Sequence, residues 1–313
     1  MRYSTFASLL AALPAALAAP EQPEIQNTTA LPTHFGLLLF PHFQALDAFG
    51  PMDVLNTLAM LYKNNTMHLS IISKTMDPVF TAMEPTERSM KMNMTHNAFG
   101  QKVVPTHTIK DVLANGGKCL EGSLGHQAHG GPGHVQARHE GHDHAAPASS
   151  SVPAAPGAPA VPAPDAGMPA ADDKGAIEVL IVPGGGGTRE PMTEEIEFVK
   201  QMYPKLKYII SVCTGASILA RAGILDGKKA TTNKRAWEWA TGTGPKTEWV
   251  GAARWVEDGN IWSSSGISAG IDVTYAWIGK VYGEEVADYV AQSSEYERWT
   301  DAGNDPFAQI WDV

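Results

Sequence analysis

The 313-residue chain is poor in cysteine, with only Cys119 and Cys213. Two thiols make at most one bridge, a weak framework for a chain long enough to bury its own core. A free, functional Cys213 therefore ranks above a Cys119–Cys213 disulfide, and both readings stay open at this level. Basic residues are scarce as well. Lys and Arg total 23 against 33 Asp and Glu, a net charge of −10, and no Lys/Arg cluster forms the basic face of a nucleic-acid binder. The acidic balance bears on solubility, not on fold. No segment stays apolar over the roughly 20 residues that a membrane-spanning helix needs. The glycine run at 184–187 lacks the GxGxxG spacing into a helix, and no GK(S/T) follows it, which removes dinucleotide and P-loop phosphate sites. Internal repeats are absent too.

What is present begins with "MRYSTFASLLAALPAALAAP", which has the charged, apolar and small-residue zones of a secretory signal. Cleavage after Ala18 is preferred over Ala19, because Pro20 would then follow the cut. The expected division is a signal peptide over 1–18 and an extension over 19–33, with a secreted product. Three sequons agree with export: Asn27-Thr28-Thr29, Asn64-Asn65-Thr66 and Asn93-Met94-Thr95.

Composition breaks at 116–174, where Gly, Pro, Ala, Ser and His replace large apolar residues. Such a stretch cannot offset its ordering entropy and is expected to be a disordered insertion. It carries His126, His129, His134, His139, His142 and His144. Imidazoles ligate metals, but no cysteine, carboxylate cluster or rigid helix organises these six, so a solvated linker is the preferred reading and no metal site is assigned.

On either side the pattern alternates strand and helix. "HFGLLLF", "MHLSIIS", "AIEVLIV", "KYIISV" and "KKATT" read as strands. "RWVEDGNIWSSSG" reads as a hairpin turning at Asp258-Gly259. Helices are expected within "AFGPMDVLNTLAMLY", "MTEEIEFVKQMY", the run after Cys213, "AGIDVTYAWIGKVY" and "EEVADYVAQSSEY". Near-continuous apolar strands alternating with helices imply an α/β fold: a mostly parallel sheet with helices on both faces. One domain, split into 34–115 and 175–313, accounts for the whole pattern.

"IISVCTGASIL" places Cys213 on the hinge between a strand and a helix. Ligands of open parallel sheets bind beyond the carboxyl ends of strands. A helix amino terminus there favours an anion, so the setting is expected to stabilise thiolate over thiol. A tight strand-to-helix turn also pushes the side chain into the pocket, and Gly215 lets the helix start close to the sheet. The rival reading is a small thiol that simply packs. Asp47, just past the first strand and flanked by Leu46, Ala48 and Phe49, lies at the same edge. Apolar surroundings would raise its pKa and keep it protonated beside a thiolate. The rival there is an N-cap aspartate for a helix after Pro51.

"LFPHFQALDAFGPMDVL", "IVPGGGG", "VCTGASILARAGILDGKKATT" and "GISAGIDVTYAWIGKVYG", in that order, resemble the ThiJ/PfpI superfamily. The likeness is strongest to its isonitrile hydratase-like subgroup and covers roughly 35–112 and 177–307. It implies a flavodoxin-like, doubly wound sheet of the class I glutamine-amidotransferase type. By the resemblance, Cys213 is the nucleophile and Asp47 the acid that hydrogen-bonds it. Thr214 follows the nucleophile and positions water or a carboxyl group. The N–H groups of Gly185 and Gly186, with that of Thr214, hold developing negative charge. Protease-like and glyoxalase-like branches carry a histidine after the nucleophile, and this chain does not.

The resemblance further implies a small electrophilic substrate, no cofactor and a homodimer, while charge and hydropathy argue against a nucleic-acid or membrane partner. The implied reaction is hydration of an isonitrile to an N-substituted formamide through a covalent thioimidate. Aldehyde or glycation repair, amide hydrolysis, and a non-catalytic secreted binding protein are the rivals. One departure stands out: many hydratase-like relatives have His-Trp after "ATT", where this chain has Asn233-Lys234. "RAWEWA" then brings Trp237 and Trp239 near the presumed pocket, where ordinary core and surface roles are preferred over a substrate platform.

Overall fold

The computed structural model describes residues 20–27, 30–62, 66–82, 99–120 and 175–313. The expected signal peptide, the sequons at Asn64 and Asn93, and the six-histidine tract lie outside the described residues.

The first half begins with β1 (His34–Leu38), α1 (Ala45–Leu61) and β2 (His68–Ser73). The short β3 (Val79–Phe80) and β4 (Lys102–Val103) pair with each other, and β5 (His107–Thr108) and α2 (Ile109–Ala114) close this half. The second half opens with β6 (Val179–Val182), α3 (Thr193–Met202), β7 (Tyr208–Ser211) and α4 (Ala216–Arg221). It continues through β8 (Lys229–Ala230), α5 (Trp237–Gly242) and β9 (Glu248–Trp249), then the hairpin β10 (Trp255–Asp258) and β11 (Ile261–Ser264). The chain ends with α6 (Ala269–Tyr282), α7 (Glu284–Ser293) and α8 (Phe307–Ile310).

Seven strands form one sheet in the order β10-β11-β7-β6-β1-β2-β5, parallel throughout except at the β10–β11 hairpin. β1 and β6 are buried at every residue, as strands covered on both faces must be, and this is why they read as unbroken apolar runs. Helices α1, α6 and α7 pack together, as do α2, α3 and α4, giving the two helical layers that flank the sheet. Trp277 of α6 is fully buried and meets Phe35, Tyr208 and Tyr282 edge-on, which ties β1, β7 and α6 into one aromatic cluster. The "KKATT" strand is real but stands outside the main sheet, as β8 paired with β9.

The order of connections positions the site. From β1 the chain moves outward to β2 on one side. β6 then pairs on the other side of β1, and β7 follows beyond it. The direction of winding thus reverses between β1 and β6. The crevice beyond the carboxyl ends at such a switch point is where doubly wound sheets bind ligands. The three segments leaving β1, β6 and β7 carry Asp47, the glycine run and Cys213.

Two sequence expectations need correction. The helix after β1 begins at Ala45, six residues before Pro51, so Pro51 lies inside it and not at its start. Residues 116–120, assigned on composition to the insertion, belong to the packed body. Lys118 forms a bridge with Ala176, Ile177 N donates to Gly117 O at 3.0 Å, and Cys119 is buried. The chain therefore leaves for the remaining insertion and re-enters at one point. The side-chain amide of Asn27 donates to the carbonyl of Val281.

Candidate active site

Cys213 follows β7 in the strand-to-helix elbow that its spacing predicts. Its φ is +58°, in the left-handed region that a residue with a Cβ seldom adopts. Three hydrogen bonds and one close approach hold it there. Cys213 N donates to Ser265 O at 3.0 Å, and Thr232 Oγ1 donates to Cys213 O at 2.9 Å. Gly215 N closes the turn onto Val212 O at 2.9 Å. A Cβ on Gly215 would press on the carbonyl of Val182 in β6, so only glycine lets the helix start this close to the sheet. Strain of this kind persists only where surrounding contacts over-determine it, and it concentrates at functional positions.

Asp47 sits in the first turn of α1, three residues past the N-cap Gln44, and is fully buried. It is therefore not a capping residue. Its Oδ2 accepts Gly184 N–H at 2.9 Å, and the carboxyl interacts with the Cys213 side chain. The other oxygen, Oδ1, is buried and accepts no hydrogen bond among the described residues. Pro51, four residues on, has no N–H to return to the Asp47 carbonyl. A Cβ on Gly184 would stand 2.6 Å from Thr214 N and 2.9 Å from Asp47 Oδ2, so the glycine run is what admits the carboxylate to the elbow.

Burial pushes the Asp47 carboxyl up to about 7, opposed by the Gly184 N–H and by the Cys213 thiol. The thiol itself moves upward, first from burial and then from the Asp47 charge. The N–H groups of Thr214 and Ile267 and the Asn233 side chain work the other way. This corrects the expectation of a thiol lowered by the helix terminus. Two buried acids side by side cannot both ionise cheaply, and they titrate as a pair that holds one negative charge near neutral pH. The donors around the sulfur favour its carrying that charge, while the Gly184 N–H favours the carboxylate.

The remaining expected residues are placed as follows. Thr214 is buried, and its hydroxyl is tied to the glycine loop. Oγ1 accepts Gly185 N–H at 3.0 Å and lies 3.0 Å from Thr188 Oγ1. The Gly185 N–H is thus engaged by Thr214 and not presented to a ligand. Gly186 opens a 3₁₀ turn, Gly186–Arg189, beside the bridge that pairs Phe43 with Gly185. Both glycines line a cleft of about 350 Å³ with Cys213 at its floor. Asn233, Arg189, Arg235 and Ile267 also line it and were not singled out as site residues. Only Asn233 had a signal in the sequence, as the departure from the hydratase-like pattern. Trp237 and Trp239 do not line the cleft. Their rings carry cations instead, Lys234 at 4.9 Å and Arg189 at 4.2 Å from the ring centroids.

Beneath the elbow lies a buried ionic network. Ser265, whose carbonyl holds the Cys213 N–H, donates its hydroxyl to Asp305. Asp305 lies 3.8 Å from Lys234 and 3.6 Å from Arg254, and Arg254 bonds Asp272 at 2.9 and 2.7 Å. Burial pulls the Lys234 ammonium down to about 8 against the pull of Asp305. Lys234 binds Thr231 Oγ1 at 2.7 Å and Ala253 O at 2.8 Å, so it supports the elbow and does not enter the cleft. Paired charges at this depth fix a geometry more than they add stability. Cys119 and Cys213 form no disulfide with each other, which removes the bridge reading.

Comparison with known proteins now has a geometry to meet. Residues 150–279 match the model of the DJ-1/PfpI family. The isonitrile hydratase of Pseudomonas putida is 35% identical over 131 residues, 40% of this chain and 54% of that protein. A helix-turn-helix type transcriptional regulator of Pseudomonas aeruginosa is 31% identical over 136 residues, 43% of this chain and 36% of the regulator. The chain thus spans about half the length of the hydratase it matches and less of the regulator. The crystal structure of a ThiJ/PfpI family protein from Pseudomonas syringae superposes with a TM-score of 0.51 at 20% identity, covering 91% of this chain and 85% of the other. That likeness carries the α/β fold with its mostly parallel sheet.

Proposed function

We propose that this chain, which carries a DJ-1/PfpI family domain, is a cysteine-dependent enzyme for small electrophiles and hydrates an isonitrile to an N-substituted formamide. The observation that carries the reading is the Cys213–Asp47 pair: a strained thiol at a cleft floor against a buried carboxyl held near neutrality.

The steps follow from one shared negative charge. Cys213 sulfur attacks the terminal isonitrile carbon while the Asp47 carboxyl gives that carbon its proton, leaving a thioimidate and a carboxylate. Asp47 then takes a proton from water as the oxygen bonds the same carbon, and passes it to the nitrogen. Collapse of this adduct breaks the carbon–sulfur bond, returns the hydroxyl proton to the Asp47 carboxylate and releases the formamide. Thiolate and carboxylic acid are thereby restored, and one water has been consumed per isonitrile. The N–H groups of Thr214 and Ile267 with the Asn233 amide receive the returning sulfur charge. Similarity to a transcriptional regulator supports a second, sensor-like reading in which the pocket binds without turnover.

Incubation with a panel of isonitriles is expected to yield formamides and a transient adduct of isonitrile mass on Cys213. A protein that forms neither loses the hydratase assignment. Export is part of the same proposal and rests on residues 1–18. Protein recovered from medium is expected to begin at Ala19, and an intact Met1 in recovered extracellular protein would overturn it.

A further inference from the structure

Asp305 stands on the segment leading into α8, and its carboxylate is fully buried. The segment is fastened at three points. Asp305 N donates to Ala252 O at 2.7 Å, Arg254 N donates to Ala302 O at 2.8 Å, and the Arg254 guanidinium faces the Phe307 ring at 5.9 Å. From there the carboxylate reaches two separate segments that converge on Cys213. On one side it accepts the Ser265 hydroxyl. Ser265 O accepts the Cys213 N–H at 3.0 Å, and Ser265 N donates to Arg254 O at 2.9 Å. On the other side it lies 3.8 Å from Lys234 Nζ, which also binds Thr231 Oγ1 at 2.7 Å and Thr232 O at 3.4 Å. Thr232 Oγ1 holds Cys213 O at 2.9 Å, and the side chain of Asn233, the next residue, hydrogen-bonds the Cys213 sulfur. Asn233 Oδ1 accepts the Ala236 N–H at 2.9 Å, which leaves the amide nitrogen for the sulfur. A Cβ on Gly266 would stand 2.8 Å from that nitrogen, so glycine keeps room for the amide.

We propose that Asp305 is a positioning residue for the nucleophile: its carboxylate locks Ser265 to Lys234 and thereby holds the Cys213 turn and the Asn233 amide around the sulfur. The inference deepens the proposed function and rests on Cys213 being its nucleophile. A lock is needed because the elbow is strained at φ +58° and relaxes unless its surroundings over-determine it. Removing one partner of a buried ion pair leaves the other charge uncompensated, which is far more disruptive than breaking an exposed pair. Lys234 has more to lose than Arg254. Arg254 keeps its bonds to Asp272 at 2.9 and 2.7 Å, whereas Lys234 keeps the neutral oxygens of Thr231, Thr232 and Ala253. When Lys234 shifts, its neighbour Asn233 shifts with it, and the sulfur loses a donor.

The pH dependence of Cys213 alkylation by iodoacetamide, assigned by peptide mapping, tests this without any turnover. In Asp305→Asn the midpoint is expected to rise by about one pH unit or more, a rate about tenfold lower at a fixed pH below it. Asp47, Arg189 and Arg235 are unchanged in every variant, so their effect on the midpoint is common to all. Removing a negative charge from an otherwise intact site would lower the midpoint, so a fall overturns the proposal, and so does an unmoved value. Asp272→Asn is the control. It breaks the ion pair on the other side of Arg254, where the Tyr296 hydroxyl also binds, and touches neither Ser265 nor Lys234. Its unfolding temperature falls while its midpoint stays at the wild-type value. An equal rise in both variants would reduce Asp305 to a merely structural role. Ser265→Ala keeps the buried charges, removes one link and gives a smaller rise. If Asp305→Asn does not fold, Ser265→Ala decides, and an unmoved midpoint there overturns the proposal. A Cys213 that iodoacetamide never alkylates removes the nucleophile reading and this inference with it. Alkylation with the wild-type midpoint in all three variants removes this inference alone.

Discussion

Cys213→Ala abolishes both formamide production and the covalent adduct, a loss of at least about 10⁴-fold if the sulfur is the nucleophile. No other thiol can substitute, because Cys119 is buried beside the base of the insertion, away from the cleft lining. The fold survives the change. The elbow is held by backbone bonds to Ser265 O and from Thr232 Oγ1, and neither involves the sulfur. Alanine keeps the Cβ and with it the cost of φ +58°. Glycine removes that cost, so Cys213→Gly is expected to be more stable than Cys213→Ala by about 1 kcal/mol, net of the entropy glycine loses on folding. Thermal unfolding of the two variants reads the strain, and product formation reads the chemistry. Residual turnover in Cys213→Ala at even a tenth of the wild-type rate would sink the nucleophile assignment.

The architecture was legible because its strands are buried on both faces. "VLIV" and "YIIS" must be apolar at every position to sit between two helical layers, and runs of that kind survive without any alignment. The elbow was legible from V-C-T-G, where a strand-former meets small residues and a helix. The two-residue strands β3, β4, β5, β8 and β9 offer too few positions for an alternating pattern, and of these only β8 was anticipated, within a longer run. Pro51 suggested a helix start, because proline favours a first turn. Burial of Asp47, Ala48 and Gly50 against the body extends α1 backward past that signal.

Site chemistry was less legible than site position. Asp47 and Cys213 follow different strands, and only the switch-point topology puts them together. Arg189 and Arg235 reach one cleft from segments 46 positions apart, which no local pattern reveals. The direction of the Cys213 shift was misjudged for a related reason. A helix terminus is visible in sequence, whereas full burial beside a second acid is not. The α4 helix after the elbow is only six residues long, so its field is weaker than the desolvation it opposes.

Asp47→Asn separates the two acids, and its effects run in opposite directions. The amide cannot donate an acidic proton or accept one from water, so turnover falls by about 10²–10⁴-fold. The same change removes the carboxylate charge that pushes the Cys213 thiol upward, so the thiol ionises at lower pH and its alkylation by iodoacetamide near neutral pH accelerates. A merely structural role for Asp47 would lower both rates together. Stability follows the sign of the shift. The Asp47 carboxyl rises from 3.8 in its unperturbed state to about 7, so the folded chain holds that proton more tightly than the unfolded chain. Its contribution is fully present below pH 3.8 and is lost as pH rises through about 7. An asparagine, neutral throughout, escapes that loss, and above pH 7 the variant should gain on wild type by several kcal/mol, on the order of 4 at most. The wild-type rate should rise through about 7 as the pair sheds its first proton and gains the charge that attacks. Denaturant titrations at pH 5 and 8 test the linkage. A stability difference between Asp47→Asn and wild type that stays constant between those two pH values would mean that Asp47 holds no raised pKa, and the shared-proton mechanism would go with it.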